Sequence, residues 1–471
     1  MKTLSLLLLL SLFPVYLSSP PKGISGAGKA VDEVYLLQAA GPCLKLLPRL
    51  DEKKRRLFLF NFGPLSRIAG KFFLEECHCL PGCGNYPPNL DLQALREAMK
   101  EDRTGELRIG VNSPLTVVVQ GEEGFRVVPY HQFYGDKLKE LSEQLSKIET
   151  SDPSLKSYLD LRAREVLTDR FEEGDKLWLE INGELKIYFG PAEVEDPYLG
   201  VKMAYGGVVF EVLPWEFADS LSPLLPRLQR ELPLPWKNLS PLPYPGIRLA
   251  RLLQAYGKFR APPATSFAVL PPFLPTRARK YLFLNVMEAR FENALAKAGE
   301  MIRGWKGSLR AYLRYLALHD LSHFLNITMK EGSGFVKEIF ADAGAVRAVE
   351  ILKKGGTWNG DLSEAVLHSY LASLLYYSAR GKKPALVQLN YLLSRGGIKI
   401  GRDGKIEKMD SFDRVMSSMW RVSTVAMQGK GHFPASMVLP RELASPLKPL
   451  SGLDFYLEFN KIKEISTGGG R

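Results

Sequence analysis

Cysteine is scarce in this chain, and so is histidine: four Cys and six His among 471 residues. No apolar run after the N-terminus is long enough to read as a membrane helix, which needs roughly 20 residues. No internal repeat is present. A clustered basic face is missing too. The formal charge is +12, but the lysines and arginines are scattered and no helix interleaves them with aromatics. Nucleic acid is therefore not an expected partner, and the charge serves solubility or weak attraction to anionic surfaces. What remains is a mixed-charge composition with 45% hydrophobic residues, long enough for two or three folded lobes.

The N-terminus reads Met1-Lys2-Thr3, then an apolar run from Leu4 to about Leu17, then Ser18-Ser19-Pro20-Pro21. One basic residue before a run of that length is the pattern of a secretory signal peptide, which makes 1–19 a signal peptide or an N-terminal anchor. Cleavage sites are offered at Ser18, Ser19 and Ser25-Gly26-Ala27. Export to the periplasm, the cell surface or the medium is the expectation, with membrane association only if the segment stays uncleaved. Cys43, Cys77, Cys79 and Cys83 are an even number in such a chain, which suggests disulfides. The alternative is metal at Cys77-His78-Cys79 and Cys83, but C-x-C-x3-C is not a standard zinc spacing. The pairing stays open.

Residues 28–127 form an N-terminal segment around this Cys-containing loop. Val31–Leu47 and Asn89–Met99 read as helices, and 107–128 as strands about Gly121–Gly124. Residues 128–255 are mixed: helical from Tyr134 to Leu167 with a break at Asp152-Pro153, then β-rich. There, Asp175–Ile181, Asn182-Gly183 and Leu185–Phe189 read as a hairpin with a type I′ turn. A tight loop is expected at Gly190-Pro191, a strand at Gly207–Val212, and a surface connection over the Pro-rich 223–245. Residues 256–440 are mostly helical, with segments Tyr281–Met301, Ser308–Met329, Gly334–Lys353, Asp361–Arg380, Pro384–Ser394 and Phe412–Gln428. A hairpin at Ile398–Ile400 and Lys405–Lys408 interrupts them. The C-terminal tail, 441–471, alternates at Leu453–Phe459.

Two of the six histidines fall together, in His319-Asp320-Leu321-Ser322-His323. Positions i and i+4 share a helix face, so both imidazoles can reach one ion. Glu338, on the next helix, offers a third ligand, and two His with one carboxylate and an open position make the usual catalytic zinc site. Asp342, one turn below, is placed to orient a ligating imidazole. The surrounding residues are apolar, and buried imidazoles need a metal or satisfied hydrogen bonds. A buried His-Glu-Asp network without metal is the bland alternative. Asp320 stands where the metallopeptidase motif has Glu as general base. Its carboxylate reaches about 1–1.5 Å less far, and displacements of about 1 Å can cost on the order of a hundredfold. His78, His131, His368 and His432 are solitary and read as ordinary core or surface residues.

Several motifs resemble, in order, the dipeptidyl peptidase III family of zinc metallopeptidases, in particular its shorter bacterial branch related to Nudix-linked members. They are Tyr158-Leu159-Asp160-Leu161-Arg162-Ala163, Asp175-Lys176-Leu177-Trp178, Gly190-Pro191-Ala192-Glu193-Val194-Glu195-Asp196, Asn285–Glu292, Glu338–Asp342 and Gln388–Leu393. The similarity runs from about 128 to 440. It implies an α+β fold of two lobes around a cleft: a mostly helical zinc-bearing lobe and a lobe with a β-barrel-like core. It implies a peptide substrate and removal of N-terminal dipeptides. It makes His319, His323 and Glu338 the zinc ligands, Asp320 the occupant of the base position, and Glu193 and Glu195 substrate-binding. Departures accompany it. Asp320 replaces Glu, Glu195 stands in a Tyr position, Leu274–Ala278 replaces an Asn-containing stretch, and Gly381-Lys382-Lys383 lacks an expected His. A weakly active or inactive relative that binds a peptide or partner is the second expectation.

Overall fold

The computed structural model describes residues 22–40, 48–49, 51, 65–66, 71–72, 83–193, 196, 198–234, 236–242, 244, 246–259, 266–268, 280–327, 334–428 and 436–451. Expectations for 1–19, Cys43, Cys77, His78, Cys79, Glu195, Leu274–Ala278, His432 and Leu453–Phe459 lie outside these residues. Cys83 opens a single 3-10 turn, Cys83–Asn85.

The C-terminal half builds a helical core from Leu309–Ser322, Gly334–Lys354, Gly360–Ala379, Lys383–Ser394 and Phe412–Met427. Their ends have local causes. The Ser308 hydroxyl accepts from the Ala311 N–H, and Asn359 Oδ1 accepts from the Leu362 N–H, each satisfying a donor that a helix start leaves free. Gly356 and Gly396 sit just past helix ends at positive φ, where only glycine is unstrained. The hairpin Ile398–Ile400 with Ile406–Lys408 is present as expected. The helix expected to reach Met329 stops at Ser322, so His323 is its C-cap.

The second core lies on a five-stranded mixed sheet. Its order is Leu185–Glu193, Met203–Leu213, Ile247–Gly257, Lys280–Phe283, Ser266–Ala268. All neighbours are antiparallel except Ile247–Gly257 with Lys280–Phe283. The described strands do not close into a barrel. Instead the sheet curls around Trp178, which is fully buried and meets Tyr188, Phe210, Phe267 and Tyr281. The rings of Tyr188 and Phe267, from the two edge strands, come within 5.0 Å. Helices Ile24–Ala40, Gly135–Ser146 and Pro153–Glu165 pack on this core. The two cores give the two-lobed α+β class. Lys280–Phe283 lies at their junction, with Leu282 in the helical core and Tyr281 and Phe283 in the sheet core.

Several local expectations fail, each for a physical reason. Asp175–Ile181 is not the first strand of a hairpin but mostly helix, Glu172–Glu180. Its buried residues, Gly174, Trp178 and Leu179, with Ile181 at the cap, cluster on one helical face, while Leu177 of the alternating set is only partly buried. Glu172, Glu173 and Asp175 also suit the positive end of the helix dipole. The partner of Leu185–Glu193 is Met203–Leu213, and Gly190-Pro191 lies within the strand. Residues 106–111 are helix, burying Val111 while Ile109 points outward. Tyr281–Phe283 is strand, and the following helix passes through a π turn at Phe291–Leu295. The Pro-rich 223–245 contains the helix Leu224–Arg230 and a 3-10 turn at Trp236–Asn238. The first helix starts at Ile24, before the expected Val31, with Ala27, Ala30, Val31 and Val34 all buried.

Candidate metal centre

Two helices bring the site together. On Leu309–Ser322, Tyr315 and His319 share a face, and His323 follows at the cap. On Gly334–Lys354, Glu338 and Asp342 share a face. Small residues let these helices approach closely. A Cβ at Gly344 would lie 2.5 Å from Ser322 Oγ and 2.9 Å from its Cβ.

The donor atoms converge. His319 Nε2 and His323 Nε2 are 3.2 Å apart. Glu338 Oε2 is 3.3 Å from the first, and Glu338 Oε1 is 3.9 Å from the second. Behind them, His319 Nδ1–H donates to Asp342 Oδ1 at 2.7 Å, which leaves Nε2 as the nitrogen turned toward an ion. Asp342 is itself held: the Tyr315 hydroxyl donates to Oδ1 at 2.5 Å, and Gln388 Nε2 donates to Oδ2 at 2.7 Å. The Tyr370 hydroxyl then donates to Gln388 Oε1 at 3.0 Å. This chain of bonds sets the imidazole plane.

The charges follow from that arrangement. Burial pulls His319 down, but Asp342's charge and hydrogen bond, with the bond to Glu338, outweigh it and raise the imidazole to about 10. His323 is pushed down to about 4, by burial and by the neighbouring positive His319. Burial acts to raise Glu338, yet His319 beside it wins and holds the carboxylate at about 2. Burial and Asp342 push Tyr315 well above the ordinary phenol range.

This donor set fits a divalent metal. Two imidazole nitrogens 3.2 Å apart, both turned to one carboxylate, satisfy each other only through a shared proton or a shared cation. His323 Nδ1 is buried and has no hydrogen-bond partner among the described residues. Asp320 lies close as well, since ligand atoms of His319, Asp320 and His323 all fall within 4.8 Å of one another. Its carboxylate is buried and its Oδ1 accepts from Lys280 Nζ at 2.5 Å.

The other expected residues are placed elsewhere. Glu193 ends the first strand of the sheet. Asp196, just beyond, accepts from the Tyr86 hydroxyl at 2.5 Å and from the backbone N–H groups of Tyr198, Leu199, Val201 and Lys202. His131 bonds Asp169 at 2.8 Å. His368 accepts from the Lys306 N–H, contacts Glu364 and stacks on Trp305, as a satisfied core histidine does. A cavity of about 920 Å³ lies in the sheet lobe, walled in part by Glu165, Asp169, Phe171 and Tyr188; none of His319, Asp320, His323 or Glu338 lines it. Sequence reasoning missed Tyr315, Tyr370 and Lys280. Tyr315 carried a signal, four residues before His319 on the same face. Lys280 carried none, because its partner is distant in the chain.

A two-lobed α+β protein with a two-histidine, one-carboxylate centre on its helical lobe is the class defined so far. The chain has the dipeptidyl peptidase III fold. It superimposes on the dipeptidyl peptidase III of Caldithrix abyssi with a TM-score of 0.76 and 19% identity, covering 94% of this chain and 91% of that one. On the dipeptidyl-peptidase III of Corallococcus sp. strain EGB the TM-score is 0.73 with 22% identity, covering 94% and 88%. In sequence it is 25% identical to Nudix hydrolase 3 of Arabidopsis thaliana, over 88% of this chain. The chain spans 59% of the length of that curated relative. No protein-family model matches.

Proposed function

We propose that this protein is a zinc-dependent peptidase of the dipeptidyl peptidase III type. The observation that carries the reading is the convergence of His319 Nε2, His323 Nε2 and the Glu338 carboxylate, with His319 Nδ1 already committed to Asp342. His319, His323 and Glu338 would hold the ion, and Asp342 would orient His319. Zinc there would acidify a bound water and polarise a peptide carbonyl. Asp320 is the nearest further carboxylate and would accept the water's proton and pass it to the leaving amine. Glu193 and Glu195 would meet the peptide, whose N-terminal dipeptide is the expected product. The fold shared with two dipeptidyl peptidase III structures supports the peptide substrate. The apolar stretch 4–17 supports export. Burial of Ile24 and Ala27 in the sheet core supports cleavage upstream of Ile24 rather than at Ser25-Gly26-Ala27.

The test is zinc content and hydrolysis of dipeptidyl arylamides by the purified protein, with His323→Ala as control. Near-stoichiometric zinc lost in the variant is expected; no zinc in the wild type sinks the assignment. The bond between Asp320 and Lys280 favours a second reading, a peptide-binding protein with little turnover. Asp320→Glu separates the two. A large gain in rate supports a competent scaffold, and no turnover in either form supports the binder.

A further inference from the structure

Asp320 is a hazard to an open metal site. It is 5% exposed, and its carboxylate shares a 4.8 Å neighbourhood with the donor nitrogens of His319 and His323. Glu338 meets the same two imidazoles, at 3.3 Å from His319 Nε2 and 3.9 Å from His323 Nε2, so Asp320 would be a fourth protein donor if it turned onto an ion held there. Four protein ligands make a closed structural site, whereas a catalytic one keeps a position for water. A buried carboxylate seeks a counter-charge, and a divalent metal would be the strongest one at hand.

Another cation already occupies that role. Lys280 Nζ is 2.5 Å from Asp320 Oδ1, a close charge-assisted contact. Its backbone is fixed. Lys280 begins the strand Lys280–Phe283, its N–H donates to the Gly246 carbonyl at 3.2 Å, and Tyr281, Leu282 and Phe283 are buried behind it. The ammonium therefore approaches Asp320 from the sheet junction, on an element separate from both ligand-bearing helices. Its charge also reaches Glu338.

We propose that Lys280 is a positioning residue that holds Asp320 off the metal, so that the coordination position needed for water stays open. This rests on the metal reading above and deepens it. It accounts for a lysine beside a site whose job is to attract a cation. It also gives the short Asp320 side chain a defined direction, with Oδ1 committed to Lys280 and Oδ2 without a bond among the described residues.

The experiment is a double-mutant cycle on zinc affinity, measured by chelator competition in wild type, Lys280→Met, Asp320→Asn and the double variant. Removing the ammonium should release Asp320 onto the metal and tighten zinc binding at least about tenfold. That gain should vanish in the Asp320→Asn background, and Lys280→Arg should behave as wild type. Cobalt-loaded protein supplies a second readout. Acetohydroxamate, which needs an open position, should perturb the visible spectrum of the wild type and not of Lys280→Met. Equal zinc affinity in wild type and Lys280→Met overturns the proposal, as does an equal gain with Asn at 320. If Lys280→Met fails to fold, Lys280→Gln takes its place in the same cycle. A wild type that takes up zinc without this coupling refutes the role of Lys280 alone; one that takes up none refutes the metal reading and this proposal together.

Discussion

Zinc binding should release one proton near neutral pH, and that proton should come from His319. In the metal-free site the three donors hold very different proton affinities: His319 at about 10, His323 at about 4 and Glu338 at about 2. Between pH 6 and 9, by these values, only His319 must lose a proton to become a ligand. The apparent dissociation constant should then fall about tenfold per pH unit, or roughly a hundredfold from pH 6.5 to 8.5. Two ordinary imidazoles, titrating near 6.5, would give a dependence that flattens above about pH 7.5. The sign for stability is opposite. A group whose folded pKa is raised stabilises the fold fully below its unfolded value, and that contribution is lost as pH rises through the folded value. The metal-free protein should therefore lose stability between about pH 6.5 and 10, while the zinc-loaded protein, with no proton on His319, should lack this loss. Calorimetric titration at pH 7.5 in two buffers of different ionisation enthalpy counts the proton directly. Release of none refutes the assignment of the charged imidazole to His319, while a count above one that grows with pH reports the zinc-bound water, which titrates at about 7.

Three substitutions probe the layers around that centre. Asp342→Asn removes the acceptor charge that orients His319 and should weaken zinc binding by about 10–100-fold, read by chelator competition, with the fold retained by circular dichroism. Gly344→Ala pushes a methyl against Ser322 and should cost about 1–3 kcal/mol in denaturant unfolding while loosening zinc by parting the ligand helices; Ser322→Gly should restore both. Trp178→Ala empties the centre of the curled sheet and should cost about 3–5 kcal/mol, leaving the zinc affinity of the folded fraction unchanged.

Legibility divided along physical lines. The helices of the C-terminal half were readable because they are long apolar segments bounded by their own caps or glycines, as at Ser308, Asn359 and Gly396; Gly360–Ala379 is buried nearly all round. The sheet lobe was harder. Ile247–Gly257, an interior strand, is buried on both sides along much of its length and so shows little alternation. Glu172–Glu180 mimicked a strand because Leu177, Leu179 and Ile181 alternate, and only the sheet that Trp178 fills decides the matter. At the centre, His319, His323, Glu338 and Asp342 were accessible because i,i+4 spacing is local information. Gln388 Nε2 and Lys280 Nζ arrive from other elements. Local spacing holds no record of such arrivals.

The two aspartates of the centre show why residue type alone could not assign their roles. Asp342 and Asp320 are both largely buried and both lie beside His319. Asp342 receives three hydrogen bonds, from Tyr315, His319 and Gln388, two of them on Oδ1. Such a carboxylate is fixed in direction, which suits it to orient an imidazole and leaves it no free oxygen to shuttle a proton. Among the described residues, Asp320 receives one side-chain bond, from a lysine that is 31% exposed, on Oδ1. A group tied at one oxygen keeps the other for exchange with a nearby water. The shorter side chain at 320 thus need not by itself abolish base function. What limits it is how strongly Lys280 competes for the same negative charge, and turnover should therefore respond to changes at 280 as sharply as to changes at 320.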